Sequence, residues 1–176
     1  METKIRTLGV LNARSFSVDL DEVQRQGDSI TRRLVIRHPS AVAVVPLIGA
    51  DEVLVVAQFR YAMGRELIEF PAGKLDPGEE PATAASRELA EETGYRAGRL
   101  DRLLSFAPSV GYSNEIIHVY LARDLTPSGN GPDEAEISKV ETMKLARVKQ
   151  MILSGEIIDG VTILALAAYE WSGARV

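Results

Sequence analysis

Three glutamates, Glu88, Glu91 and Glu92, fall within five residues near the end of a segment, Gly73–Tyr95, that holds five glutamates in all. Side chains three or four positions apart share one face of a helix, so Glu88 stands beside both Glu91 and Glu92. Each such like-charge pair costs a helix about 0.2–0.5 kcal/mol. One reading of the cluster is a solvated acidic face. The other is a set of hard oxygen ligands for Mg²⁺, Mn²⁺ or Ca²⁺, with open positions that phosphate oxygens can share. The adjacent Arg87 is always cationic and cannot be a ligand. The chain has no cysteine, so thiolate metal sites, disulfides and cysteine nucleophiles are excluded. No G-x-S-x-G supports acyl transfer. The two histidines, His38 at a strand end and His118 within an apolar strand, read as structural.

The elements that would position these carboxylates can be read from pattern. Residues from about Lys4 to Arg37 alternate loosely, as half-exposed strands do. Ala41–Ile48 is almost continuously apolar and β-branched, the mark of a strand buried on both faces. A turn at 49–52 leads to a second strand, Val53–Phe59, and a short one, Leu67–Phe70, stops at Pro71. Ala72–Gly78 reads as a loop, and a helix follows it. Glu79 and Glu80 are placed at its start, where negative charge suits the helix dipole, with Pro81 in the first turn and Gly94 as the C-terminal stop. Arg99–Phe106, Ile116–Ala122 and Ile137–Met143 read as strands, 107–115 and Leu125–Glu136 as loops, and the C-terminal region as two helices separated by 154–160. Strands, a helix, strands and then helices imply a mixed α/β sandwich rather than a doubly wound sheet.

Gly73, Glu79, Arg87, Glu88, Leu89, Glu91, Glu92, Gly94 and Tyr95 occur at the spacing G-x5-E-x7-R-E-U-x-E-E-x-G-U, where U is bulky and apolar. This resembles the Nudix box at all nine specified positions. A chance match in a chain of this length is on the order of one in a million. The resemblance implies a Nudix-type α/β/α sandwich with a mixed sheet, here with a strand extension over 1–37 before a Nudix domain over 38–176. It implies Mg²⁺, or Mn²⁺, held by Glu88 and Glu92, with Glu91 joining a further ion and the Ala72 carbonyl brought close by the glycine-containing loop. Arg87 is implied to pair with Glu79 and fix the loop against the helix.

The N-terminal extension, QFRYAMGRELIEFPAGKL before the box, SVGYSNEIIHVYLA after it and the later GPDEAEI together resemble the ADP-ribose pyrophosphatase branch, over about Thr31 to Tyr169. The implied reaction is ADP-ribose plus water giving AMP and ribose 5-phosphate. In that scheme Arg60 contacts the diphosphate, Glu66 lies in the substrate pocket, Glu115 lies near the terminal ribose and Phe16 stacks on adenine. A carboxylate of the acidic segment 133–136 takes a proton from the attacking water: Glu134 as base, with Glu136 as helper or outer metal ligand, and Glu91 as the competing base. Ser109-Val110-Gly111 departs from the branch's S-P-G, which leaves room for GDP-mannose or another nucleotide-sugar, and Tyr112 stands where dinucleoside polyphosphate hydrolases carry a tyrosine. A non-catalytic nucleotide sensor on the same scaffold is a third reading, set against by the complete set of box glutamates.

The formal net charge of −5 disfavours nucleic acid as a partner and would repel a phosphorylated substrate unless a cation or local arginines reverse the field. The first residues lack the apolar centre of a signal peptide and no apolar run is long enough to span a bilayer, so no membrane association is expected and the cytoplasm is the expected compartment. Strands of an extension this short are poorly able to bury themselves, and the resemblance implies a homodimer through them.

Overall fold

The computed structural model describes residues 1–27, 29–129, 135 and 137–173. The chain divides into two compact units, one built from Met1–Ser40 with Phe106–Ile116, the other from Ala41–Ser105 with the remainder from Ile117.

In the first unit the loosely alternating N-terminal residues form an antiparallel meander of β1 (Thr3–Asn12), β2 (Ser17–Gln24) and β3 (Ile30–Arg37). All ten residues of β1 are exposed, including Ile5, Val10 and Leu11. The sheet is laced by ion pairs: Asp21, almost buried, takes Lys4 and Arg37, and Arg33 reaches Glu2. The segment 106–116 joins β3 through a bridge between Ile36 and Ser113, with the Ile36 amide donating to the Tyr112 carbonyl at 2.7 Å.

Among the described residues the second unit is a seven-stranded mixed sheet with three α-helices. Its main path runs β10 (Ile137–Lys144), β5 (Glu52–Arg60), β4 (Ala41–Ile48), β9 (Ile117–Pro127), β8 (Tyr95–Phe106), with β6 (Arg65–Glu69) beside β5 and β7 (Ala72–Lys74) beside β4. β4 and β9 are parallel, Ala41 opposite Ile117. On its other edge β4 changes partner along its length: Ala41–Ala43 pair with β7, whereas Leu47 and Ile48 pair with β5. Between them the Val44 amide donates to the Pro71 carbonyl, which meets that buried donor at the changeover.

The apolar run read as a doubly buried strand is that. Val42 and Val44 pack with Tyr120 and Ala122 of β9 against Ala84, Ala85 and Leu89 of helix α1 (Pro81–Thr93). Ala43 and Val45, with Val119 and Leu121, point to the opposite face and are fully buried as well. Helices α2 (Leu145–Ser154) and α3 (Gly160–Trp171) complete the unit. α3 begins with Asp159, whose side chain accepts from the Thr162 amide and hydroxyl, both at 2.7 Å. The Thr162 hydroxyl in turn accepts from the buried Phe70 amide at 2.9 Å, tying the helix start to the end of β6.

The structure departs from the sequence reading at four places. The first residues of the stretch read as a loop, Ala72–Lys74, form strand β7, because β4 offers them free backbone partners. β8 begins directly after the helix at Tyr95, and β9 continues to Pro127 through residues read as loop. Helix α1 starts at Pro81, so Glu79 lies before it and serves a side-chain partner rather than the helix dipole. No helix among the described residues is long and apolar enough to cross a membrane.

Candidate active site

Helix α1 ends on Gly94 at φ 76°, a left-handed position that glycine occupies without a Cβ penalty. The last turns therefore hold Glu88, Glu91 and Glu92 at fixed phase above β7. Glu88 lies directly over Gly73: a Cβ built on residue 73 would stand 2.0 Å from the Glu88 carboxyl carbon. Glu92 is buried, and its Oε2 accepts from the Ala72 amide at 3.1 Å. Two carboxylates thus converge on the Ala72–Gly73 backbone, one in a cradle that only glycine leaves open.

Arg87 binds this arrangement together. Its Nε and Nη2 donate to the two oxygens of Glu79 at 3.0 and 2.9 Å, Nη2 also reaches the Lys74 carbonyl, and Nη1 donates to Glu88 at 2.8 Å and Glu91 at 3.0 Å. Glu79 also accepts from the Asp76 amide, closing the loop on itself. Arg87 and this amide hold the Glu79 carboxyl down at about 2, and the three carboxylates hold the Arg87 proton more firmly than usual. The repulsion among the box glutamates is thereby offset by one guanidinium that touches the loop, the helix and the strand.

Glu92 behaves differently. Burial, reinforced by the nearby charges of Glu88 and Glu69, pushes its carboxyl up to about 8 despite the Ala72 amide. Glu69, at the end of β6, is also buried and forms a two-pronged pair with Arg60, whose Nε donates to Oε1 at 2.8 Å and whose Nη2 donates to Oε2. Arg60 feels Asp159 and Glu92 as well, so β5, β6, α1 and the start of α3 all bring charge to this region. Glu69 and Asp159 were not singled out from sequence. The available signal for Glu69 was an acid two residues after Leu67, on the face of β6 that turns inward.

Among the residues singled out from sequence, the structure brings Ala72, Arg87, Glu88 and Glu92 together, with Glu91 at the exposed margin. Arg60 is within electrostatic range of Glu92. Glu66 is directed toward β10, where the Ser138 hydroxyl lies 2.5 Å from its carboxylate and 3.0 Å from the Ala57 carbonyl. Glu134 and Glu136 lie outside the described residues. Phe16 and Glu115 belong to the first unit. There they line a recess of about 350 Å³ together with Ile36, His38, Tyr112 and Ser113.

The donor set suits a hard divalent cation: carboxylates and main-chain oxygen, with no thiolate. Glu88 and Glu92 would hold such an ion, with the Ala72 carbonyl and Glu91 as further ligands. Among the described residues no group of three or more His, Asp or Glu side chains is placed to hold a metal ion.

A family model, the NUDIX domain, matches residues 37–161. The chain is 36% identical over 167 residues to a methanol dehydrogenase activator of Bacillus methanolicus, covering 94% of this chain and 90% of that protein. It is 34% identical over 159 residues to an ADP-ribose pyrophosphatase of Bacillus subtilis (strain 168), covering 89% and 86%. Among solved structures, an ADP compounds hydrolase superposes with a TM-score of 0.83 at 26% identity, over 99% of this chain and 97% of that one.

Two predictions follow from the geometry. Gly73→Ala leaves the fold intact, because the clash falls on the end of a flexible side chain, but it displaces the Glu88 carboxylate. Mn²⁺ affinity, read by titration, should fall by about tenfold or more, in line with the loss of a metal's supporting contact. The second concerns pH. A carboxyl at about 8 in the folded state, well above its ordinary value, favours folding most at low pH and loses that contribution as pH rises through 8. EDTA-stripped protein should therefore melt several degrees lower at pH 9 than at pH 6, and Glu92→Gln should flatten this slope. Equal slopes for the two proteins would show that Glu92 is not the group responsible.

Proposed function

Because this chain belongs to the Nudix family and is a Nudix pyrophosphohydrolase, we propose that its substrate is ADP-ribose, cleaved to AMP and ribose 5-phosphate. The observation that carries the reading is the pair of carboxylates over the backbone of Ala72–Gly73: Glu88, held by Arg87, and Glu92, which accepts from the Ala72 amide. A divalent cation bound there, Mg²⁺ or Mn²⁺, would supply neutralisation of the diphosphate and activation of a water. The likeness to an ADP-ribose pyrophosphatase over most of both chains supports the choice of nucleotide.

The chain's own residues then have separable tasks. Glu88 and Glu92 provide negative charge where the dianionic substrate needs a counter-ion to dock. Arg87 holds Glu88 in place, and the Ala72 amide holds Glu92. Arg60, held in place by Glu69, is a cation close to the carboxylate pair and is assigned to the diphosphate. The water's oxygen forms a bond to one phosphorus, the bridging P–O bond breaks, and the water's proton passes to a carboxylate. We assign that base to Glu134 with Glu136 in support. Glu91 is the weaker candidate, because its carboxylate is engaged by Arg87. Phe16, which lines the recess of the first unit, is assigned to stacking on adenine, as the resemblance implies.

Purified protein with Mg²⁺ should release AMP from ADP-ribose with kcat/KM at least tenfold above that for GDP-mannose, followed by chromatography of the products. Glu92→Gln should cost 100-fold or more in kcat, and Glu134→Gln should cost far more than Glu91→Gln. A panel led by GDP-mannose would move the assignment to that nucleotide-sugar.

We further propose a homodimer formed through the N-terminal strands. The support is the wholly exposed β1, an edge strand that carries Ile5, Val10 and Leu11 in the open. Sedimentation should give twice the mass of the 19.2 kDa chain. Val10→Asp combined with Leu11→Asp should shift the protein toward the monomer, and a fully active monomer in the unaltered protein would refute the dimer.

A further inference from the structure

His38 sits at the wall of the recess in the first unit, with its ring 5.9 Å from that of Phe16. Its position is tightly specified. The His38 backbone amide donates to Asn114 Oδ1 at 2.8 Å. Nδ1 lies 2.8 Å from the Pro39 carbonyl and 3.1 Å from Glu115 Oε1. Both neighbours of Nδ1 are acceptors, so Nδ1 carries the proton in the neutral ring as well as in the charged one. The neutral imidazole then has its lone pair on Nε2. Among the described residues Nε2 has no hydrogen-bond partner.

We propose that His38 is a specificity-determining residue of this recess: Nε2 accepts a hydrogen bond from the exocyclic amine of an aromatic base lying near Phe16 and Tyr112. The inference rests on the reading that the substrate is a nucleotide, and it names which bases the recess takes. A ring bearing an amine presents a donor to Nε2. A ring bearing a carbonyl at the same place presents an acceptor to an acceptor and leaves both unpaired. A site built to pair with one such group rejects the analogue that lacks it more strongly than an apolar wall could. Glu115 acts through His38 here, by fixing its tautomer.

The test compares AMP with IMP, which differ in the amine or carbonyl on the six-membered ring. Binding is measured by calorimetry to the EDTA-treated full-length chain at pH 8.5. AMP should bind about tenfold more tightly than IMP. In His38→Asn the amide can still donate to Pro39 and Glu115 but nothing replaces Nε2. In His38→Phe the flat ring remains without nitrogen. In both, the preference should shrink to about twofold or less, with circular dichroism and melting temperature as checks on folding. Equal binding of AMP and IMP by the unaltered protein overturns the proposal, as does a preference that survives in both variants. Loss of preference in only one of two folded variants also overturns it. If ADP-ribose is hydrolysed and the AMP preference is absent, this inference fails alone. If ADP-ribose is not hydrolysed and the preference follows His38, the substrate assignment fails and this inference stands.

Discussion

One guanidinium makes the rest of the candidate active site possible. Arg87 is surrounded by Glu79, Glu88 and Glu91 and by the carbonyl of Lys74. Without it, acids at helical spacing would repel each other and the loop before α1 would have no reason to lie against the helix. With it, the acids and the loop become one rigid body. Lysine could not do this, because one compact ammonium cannot address a bidentate carboxylate, two further acids and a carbonyl at once. The cost of clustering negative charge is met largely inside the segment itself.

Burial separates the roles of two acids that look alike in the sequence. Glu91 is half exposed and held by Arg87, whereas Glu92 is enclosed, accepts one backbone hydrogen bond and retains its proton far beyond the ordinary range. A charge-compensating cation would convert this unfavourable burial into an attractive one. The same contrast appears in Arg60 and Glu69, a pair whose acid is buried and whose base is partly open. Pairing with Glu69 limits the conformations of Arg60 and leaves less entropy to lose when it meets an anion.

How much could be read beforehand depended on the range of the interaction. The helix of the box, its glycine stop, the doubly buried Ala41–Ile48 strand and the two C-terminal helices are local patterns, and each lies where its pattern put it. The spacing of Gly73 and Glu88 also carried their meeting, because the box is a local motif folded back on itself. Three-residue β7 has no pattern of its own and exists through pairing with β4. Glu69 and Asp159 were missed for the same reason: an acid on a strand and a helix cap acquire a role only once β5, β6 and α3 are assembled. His38 was read as structural from its place at a strand end. Its contacts with Asn114 and Glu115 span more than seventy residues of chain, and no local signal announces them.

The change of partner along β4 has a mechanical consequence. Among the described residues β5 pairs with β4 only at Val53 and Glu52, and Arg60 is at the other end of β5. At about 3.3 Å per residue this makes a lever of roughly 23 Å. A rocking of about 5° at the junction would carry Arg60 through roughly 2 Å, by simple proportion on that length. The swing is restrained by β10 and β6, which both pair with β5, by the Val44–Pro71 hydrogen bond and by the Phe70 amide latched to the Thr162 hydroxyl at the first turn of α3. The aim of a cation at one corner of the sheet thus depends in part on a hydroxyl of a helix distant in the sequence.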